Sequence, residues 1–544
     1  MSSESYDAVV IGAGPNGLVA ANHLLDRGWS VLVLEAQPEV GGAVRSAEDV
    51  HAGFVHDTFS SFYPLAAASP SVRALRLEEH GLTWVHAPAV LGHPTPDGEW
   101  ALLHRDREVT AQLMEAQHRG DGEQWLELCR DWDRIGEQLV SALVTPFPPV
   151  RPALSMLARL PSVGGLGFVK TLATPAMGLG RARFGGRSAR LLMAGNAGHA
   201  DIPLDALGSG LMGLLLTMLG QTVGFPVPQG GAGELSRAMA RRAESLGGEV
   251  RCSCEVTAID VYDGRVTGVR TADGNRVRAT KAVLADVVAP KLYGGLVREQ
   301  DLPERTRRGM QRFEMDPSTI KVDWALSGPV PWASAPPYAP GTVHVADSVE
   351  QMAEASSQVA ANVIPAEPFM LAGQMTTTDP TRSPEGTESM WAYTHVPQQA
   401  DRDAGDDGLT GGWDHDELER MADRMQARFE RLAPGFGSRV LSRRVLGPQE
   451  LERRDANLVG GGINGGTSQL HQELVFRPVP GLGRAETPIS GLYLASASAH
   501  PGGGVHGACG MNAARAAVVH DRLSRVSPRA LSRSRGRPPS PPRP

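Results

Sequence analysis

Two glycine-rich stretches contain the residues whose types and spacing could do chemistry, and the first lies near the N-terminus. Residues 12–17 read GAGPNG, after a short apolar run and before an Ala/Leu-rich one. A second apolar run, residues 31–34, ends at Glu35. In this pattern the glycines bring backbone N–H groups at a helix N-terminus to a pyrophosphate, and the acid accepts hydrogen bonds from a ribose. A chance glycine turn is the alternative, but strand, helix and acid at this spacing favour a dinucleotide site.

The second stretch lies near the C-terminus. An apolar run, residues 489–494, is followed by the loop 500–507 (HPGGGVHG) and then by an Ala-rich segment. This order predicts a strand, a glycine loop and a helix. His500 and His506 are the titratable groups of the loop, which makes His500 a candidate catalytic base. A histidine that stabilises the turn before Pro501 is the alternative.

Both stretches resemble one family of proteins. After Glu35 the chain continues with residues 41–46 (GGAVRS), which resemble the FAD-binding region of the superfamily of phytoene desaturases, amine oxidases and GDP-dissociation inhibitors. Residues 500–514 (HPGGGVHGACGMNAA) resemble the phytoene desaturase-like branch of that superfamily. The resemblance implies FAD as the cofactor, with the glycine pair close to the flavin and its pyrophosphate.

The resemblance also implies which residues bind FAD. Val256 matches a position whose backbone holds the adenine, and the C-terminal glycine loop passes the flavin ring. Residues 495–496 (AS) depart from the Cys-Gly or Gly-Asp that relatives often carry. The implied FAD-binding residues are Gly12, Gly14, Pro15, Asn16, Gly17, Glu35, Ala36, Gly41, Gly42, Ala43, Arg45, Val256, Gly503, Gly504 and Val505.

The fold implied is α/β, with a Rossmann-type FAD-binding domain assembled from discontinuous segments. An α+β substrate domain with a mixed or antiparallel sheet and a helical cap accompanies it. Trp324 and Trp391, on alternating strands of this second domain, are candidates for an active-site wall or for core. The expected segments are FAD-binding parts at 1–65, 229–290 and 441–523, substrate-domain insertions at 66–228 and 291–440, and a disordered basic tail at 524–544.

Residues 206–233 contain no charged side chain. Their apolar core is shorter than the roughly 20 residues of a membrane-spanning helix and is interrupted by glycines. A buried helix beside the cofactor domain is one interpretation. A wall for an apolar substrate and an interfacial membrane patch are the others.

Charge and composition exclude several classes of function. The net charge is −7 although seven arginines and no acid follow Asp521, so nucleic-acid binding by the folded body is not expected. Attraction of the basic tail to an anionic membrane is a separate hypothesis. Four scattered cysteines and no signal peptide indicate a cytoplasmic protein. No metal site is expected, because Cys252 and Cys254 lack a second ligand pair.

These observations predict an FAD-dependent dehydrogenase or desaturase that moves a hydride from a substrate C–H bond to flavin N5. The substrate is expected to be a small apolar molecule, polyene-like, isoprenoid-like or a secondary metabolite. Residues 460–465 (GGGING) match the dinucleotide motif by letters but lack its strand and helix, so a diffusible acceptor, oxygen or a quinone, is expected. A carotenoid ketolase-like or amine oxidase-like flavoenzyme and a flavin-free carrier of lipid or prenyl groups are the alternatives. The oligomeric state is left open.

Overall fold

The computed structural model describes residues 4–533. Within this range the helices are, in chain order, α1 (Pro15–Leu25), α2 (Pro64–Ala68), α3 (Pro70–Arg73), α4 (Arg107–Gln117), α5 (Asp121–Val144), α6 (Val150–Arg159), α7 (Leu166–Ala173), α8 (Ala176–Arg183), α9 (Arg187–Ala197), α10 (Ser209–Thr222), α11 (Gly233–Ser245), α12 (Ala289–Lys291), α13 (Glu304–Met310), α14 (Val349–Ala360), α15 (Met375–Thr378), α16 (His415–Leu432), α17 (Pro448–Arg454) and α18 (Ala508–Arg533).

The strands of the same range are β1 (Glu4–Ile11), β2 (Val31–Leu34), β3 (Ser46–Ala47), β4 (His56–Asp57), β5 (Trp84–Val85), β6 (Ala89–Pro94), β7 (Trp100–Leu103), β8 (Val227–Pro228), β9 (Glu249–Arg251), β10 (Val256–Tyr262), β11 (Arg265–Thr271), β12 (Arg276–Ala285), β13 (Ser318–Leu326), β14 (Pro340–Val345), β15 (Val363–Ile364), β16 (Met370–Gln374), β17 (Glu388–Val396), β18 (Arg402–Asp403), β19 (Val440–Leu446) and β20 (Leu492–Leu494).

The first sheet is the nucleotide-binding one. Its order is β10-β11-β12-β1-β2-β9, and β20 pairs with β12. The pairs β1·β2, β1·β12, β2·β9 and β12·β20 are parallel, whereas β10, β11 and β12 form an antiparallel meander. Because β1, β12 and β20 are neighbours in space but far apart in sequence, the sheet forms only from separated parts of the chain. This confirms the predicted discontinuous Rossmann-type domain of an α/β fold.

The second sheet has the order β19-β13-β17-β16-β14-β6-β7 and is antiparallel except where β14 pairs with β6. The side chains of β13 alternate between an apolar face and a polar face, and this alternation explains why the strand lies between a core and the first sheet. Ile320, Val322 and Trp324 face a core that includes Met421 and Phe429 of α16, so Trp324 is a core residue. The other face of the same strand carries polar side chains and lies toward the first sheet and the cap.

Helices α4 to α10 form the cap over a separate apolar core. The charge-poor segment forms α10, which is buried along most of its length, so the interpretation as a buried helix is confirmed. No described helix, within residues 4–533, is long and apolar enough to cross a bilayer.

Two expected segment boundaries differ from the structure. Residues of β19 pair with β13 in the second sheet, so the segment expected to begin the third FAD-binding part at 441 starts in the substrate domain. The pairing of β19 with β13 places this boundary, and the spacing of residues in the sequence does not reveal such a pairing. Helix α18 continues to Arg533, past the expected start of the tail at 524, and residues 534–544 lie outside the described range.

Candidate FAD site

A cavity of about 910 Å³ lies between the two sheets and the cap. This volume is at the upper end of the range for small-molecule and cofactor sites. Most residues that the sequence assigned to FAD meet on its wall. These are Gly12, Gly14, Pro15, Asn16, Glu35, Ala36, Gly42, Ala43, Val256, Gly503, Gly504 and Val505.

Three predicted residues do not line the cavity but support the residues of its wall. A Cβ on Gly17 would lie 2.1 Å from the Gly12 carbonyl oxygen, so only glycine lets α1 pack this closely on the turn. The Gly41 N–H donates to the Ala13 carbonyl at 2.9 Å. The Arg45 guanidinium donates to the Gly42 carbonyl at 3.0 Å and thereby fixes the glycine pair.

His500 is not on the cavity wall. Its Nε2 lies 2.9 Å from the carbonyl oxygen of Thr145, in the loop between α5 and α6. Burial lowers the pKa of the ring. His500 therefore contacts the cap, and we assign it no part in the chemistry.

The N-termini of two helices meet beside the cavity. The N-cap residue of α1 is Gly14, which has no side chain to cap the helix. Helix α18 begins directly after the glycine loop, and a Cβ on its Gly510 would lie 1.8 Å from the carbonyl oxygen of Asn16. Both helices therefore present the positive ends of their dipoles to one region, which suits a pyrophosphate and the negative charge of a reduced flavin.

Acidic side chains occupy the same part of the cavity. Glu35 accepts hydrogen bonds from the backbone N–H groups of Ala13 at 2.7 Å and Gln37 at 2.9 Å, which fixes its carboxylate at the end of β2. Asp286 accepts the Gly17 N–H at 2.9 Å, and burial raises its pKa to about 7. Burial also raises the pKa of Asp455, which lies beside Gly42.

Asp286 was missed in the sequence, although a signal for it exists. It follows the apolar end of β12, which pairs in parallel with β1. An acid there must lie at the same sheet edge as the glycine turn, because the carboxyl ends of parallel strands meet at one edge.

The second sheet supplies the opposite wall through alternate residues of neighbouring strands. Thr319 and Lys321 of β13 and Trp391 and Tyr393 of β17 all line the cavity. The rings of Trp391 and Tyr393 are stacked, with centroids 5.9 Å apart and planes at 16°. Trp391 is therefore a wall residue, in contrast to Trp324.

Lys321 is a buried basic residue of this wall. Its Nζ donates to the Asp57 carbonyl oxygen at 2.9 Å and to the Asp323 carboxylate, and it lies 5.8 Å from the centre of the Trp391 ring. Burial lowers its pKa. The sequence signal was an alternation in which the polar residues Thr319, Lys321 and Asp323 are separated by apolar ones.

The cap closes the cavity with apolar side chains. Met212 and Leu216 project from α10, and Phe62, Leu65 and Phe225 come from neighbouring segments. The charge-poor helix is thus both a buried element and part of the cavity wall.

The residues present fit FAD. Glycines that admit no Cβ allow close approach of a pyrophosphate, an oriented acid ends β2 for a ribose, and Val256 lines the wall where β10 begins. An α/β fold with this site defines an FAD-dependent oxidoreductase.

The chain belongs to the family of flavin containing amine oxidoreductases, whose model matches residues 16–342. Mouse pyridine nucleotide-disulfide oxidoreductase domain-containing protein 2 is 29% identical, over 94% of this chain and 92% of its own. The neurosporene-forming phytoene desaturase of Rhodobacter capsulatus is 25% identical, over 96% of this chain and 95% of its own. A solved oxidoreductase from Methanosarcina mazei, at 16% identity and a TM-score of 0.59, covers 94% of this chain and 99% of its own. These similarities confirm the resemblance and FAD as the cofactor.

Proposed function

We propose that this enzyme is a dehydrogenase or desaturase that removes a hydride from a C–H bond of a largely apolar substrate. The observation that carries the proposal is the substrate side of the cavity, where Met212 and Leu216 face Trp391 and Tyr393. Relatives named as phytoene desaturases, and a relative from Castellaniella defragrans named as part of a limonene dehydrogenase, support an apolar substrate.

The protein's own residues would act by holding and shielding the reacting groups. Bound FAD supplies the two-electron acceptor. Gly14, Glu35 and the N-terminus of α18 would hold and orient it, with the helix dipole stabilising the charge of the reduced form. The apolar side chains of α10 exclude water, and Lys321, paired with the Asp323 carboxylate, lies on the opposite wall.

We also propose a diffusible electron acceptor, such as oxygen or a quinone. Residues 460–465 do not offer a second nucleotide site, because the Asp316 carboxylate already occupies the loop. It accepts the backbone N–H groups of Ile463 at 2.6 Å, Asn464 at 2.8 Å and Gly466 at 3.1 Å. A carboxylate held in this way takes the place that a phosphate would need.

An amine oxidase-like activity is the second candidate, and one observation favours it. The stacked pair Trp391 and Tyr393 gives the cavity an aromatic wall that could hold an amine. A carotenoid ketolase-like reaction would use the same walls, with an oxygen-bearing product. A flavin-free carrier is not proposed, because FAD is the cofactor.

Anaerobic reduction of the holoenzyme tests these alternatives. Isoprenoid polyenes, monocyclic terpenes and primary amines are added in turn, and loss of the visible flavin absorbance is recorded. We expect polyenes or terpenes to bleach the flavin. Bleaching by amines alone would replace the proposal with the second candidate, and a protein purified without FAD would contradict both.

We further propose that the cap rests on an anionic membrane surface through α6 and α7. The exposed fractions are 62% for Leu154, 59% for Leu157 and 85% for Leu166, and α6 has no buried residue. Between Glu137 and Asp201 the chain carries seven Lys or Arg and no acid. Apolar side chains among basic ones suit a surface rich in anionic lipid. Helix α7 packs on α10, so this surface adjoins the cavity wall.

Replacing the exposed leucines tests this contact. The triple variant Leu154→Ser, Leu157→Ser, Leu166→Ser is expected to bind phosphatidylserine-containing vesicles at least about tenfold more weakly than wild type in a sedimentation assay, because each leucine contributes by entering the lipid.

A matched control uses exposed apolar residues away from the cap. Tyr262→Ser with Leu441→Ser, whose parent side chains are 77% and 48% exposed, should sediment like wild type. A chain ending at Leu523 tests the basic tail separately. Loss of binding in the truncated chain with full binding in the triple variant would show that the tail makes the contact and the leucines do not.

A further inference from the structure

A pair of histidines lies on the substrate side of the cavity. His199 follows α9 and lines the cavity, and its Nε2 lies 2.9 Å from Nε2 of His344 on β14. Burial lowers the pKa of His199 to about 3 and that of His344 well below its ordinary value, so both rings are neutral at neutral pH. In a hydrogen bond between two neutral imidazoles, one Nε2 carries the proton and the other accepts it.

The surroundings of His344 decide which ring is the donor. Its Nδ1 is buried without a partner and packs against α9, where a Cβ on Gly195 would lie 2.2 Å away. An enclosed N–H without an acceptor is rarer in proteins than an enclosed lone pair. His344 therefore keeps its proton on Nε2 and donates it to His199.

The proton of His199 must then lie on Nδ1. This nitrogen has no hydrogen-bond partner among the described residues and, unlike Nδ1 of His344, is not among the fully enclosed atoms. Because His199 lines the cavity, its N–H is available there. The hydrogen bond from the fully buried His344 thus fixes the tautomer of the accessible His199.

Two of the neighbouring groups, Tyr393 and His395, are polar but uncharged. Tyr393 lines the same side, and burial raises the pKa of its hydroxyl, so it remains protonated. His395 is neutral as well, since burial lowers its pKa. The nearby Asp201 carboxylate is already occupied by the Thr467 hydroxyl and the Ser468 N–H. This carboxylate therefore already has two hydrogen-bond donors within the protein.

We infer that the Nδ1–H of His199 binds an oxygen atom of the substrate, so that the substrate is an apolar molecule bearing a carbonyl, hydroxyl or ester oxygen. This inference rests on the proposed function and narrows its substrate class. A plain hydrocarbon would leave the histidine N–H unpaired beside the apolar walls of the cavity, so it should bind more weakly than an analogue that bears an oxygen atom.

Two probes of one shape test the inference on the holoenzyme. 2-Dodecanone and 2-methyl-1-dodecene differ in a carbonyl oxygen against a methylene group, and binding is followed by the perturbation of the flavin spectrum. Wild type should bind the ketone at least about tenfold more tightly. His199→Leu should bind both probes equally.

Variants of His344 distinguish the effect of its hydrogen bond on the His199 tautomer from an effect on packing. His344→Gln keeps an N–H that can donate to Nε2 of His199 and should retain the preference for the ketone, whereas His344→Leu should lose most of it. Long-range ¹⁵N–¹H spectra of histidine-labelled holoenzyme should show His199 protonated on Nδ1 and His344 on Nε2.

The inference is overturned if wild type does not prefer the ketone or does not bind it, if His199→Leu keeps the preference, or if the tautomers are reversed. Each variant is first checked for bound FAD that dithionite reduces. Absence of FAD in wild type would contradict the proposed function, and this result is distinct from a failure to discriminate between the probes.

Discussion

Gly510→Ala is expected to purify with little or no FAD, its affinity for the cofactor lowered about 100-fold or more. The added Cβ would lie 1.8 Å from the Asn16 carbonyl oxygen, which belongs to the backbone of α1 and cannot rotate away. The N-termini of α1 and α18 must then separate, and a displacement of about 1 Å in a binding site costs on this order. Cofactor titration of the FAD-free protein measures the change.

Gly167→Ala is the matched control for this substitution. Gly167 is also a helical glycine, but no atom lies within 4 Å of its added Cβ. FAD content should be unchanged, and the free energy of unfolding should rise by up to about 1 kcal/mol because alanine favours helix. Normal FAD affinity in Gly510→Ala would show that the two helix ends need not touch.

Arg382→Met is expected to lower the free energy of unfolding by about 3–5 kcal/mol. Arg382 is fully buried and donates to both carboxylate oxygens of Asp57, at 3.0 and 3.2 Å, and to Asp379 at 3.0 Å. Asp57 also accepts the Ala232 N–H at 2.8 Å. Removing the guanidinium leaves two buried carboxylates without their cation at the junction of the two sheets. Urea unfolding of the holoenzyme, followed by tryptophan fluorescence, reports the loss.

An exposed ion pair provides the comparison. Arg181 pairs with Glu350 at 2.9 Å, with side chains 56% and 65% exposed. Arg181→Met should change the free energy of unfolding by no more than about 0.5 kcal/mol, because water screens such pairs. Equal effects of the two substitutions would mean that burial of the Arg382 cluster adds nothing to stability.

Locally encoded features could be predicted from the sequence. Helix α16 spans residues 415–432, and its N-terminus depends on neighbouring residues: the Asp414 side chain accepts the Glu417 N–H at 2.9 Å, and Glu417 accepts the Trp413 N–H at 2.9 Å. The glycine turn at residues 12–17 and Glu35 could be predicted equally well, because their spacing is fixed by the geometry of one strand and one helix.

Features that depend on pairing between distant segments could not be predicted. Lys321 faces the cavity because β13 pairs with β17 in one register, and a shift of one residue would turn it into the core. The contact of His199 with His344 requires α9 to pack over β14. The motif around His500 could be recognised in the sequence, but its hydrogen-bond partner, Thr145, lies in a distant loop and could not be predicted.

The meeting of α1 and α18 also constrains how the cofactor is acquired during synthesis. Asn16 leaves the ribosome long before Gly510, and the parallel pairing of β12 with β20 has the same order. A nascent chain can form the glycine turn early, but it lacks the second helix end until α18 has been synthesised. Stable retention of FAD must therefore await the synthesis of α18, and premature termination before α18 would leave a long polypeptide with an incomplete cofactor site.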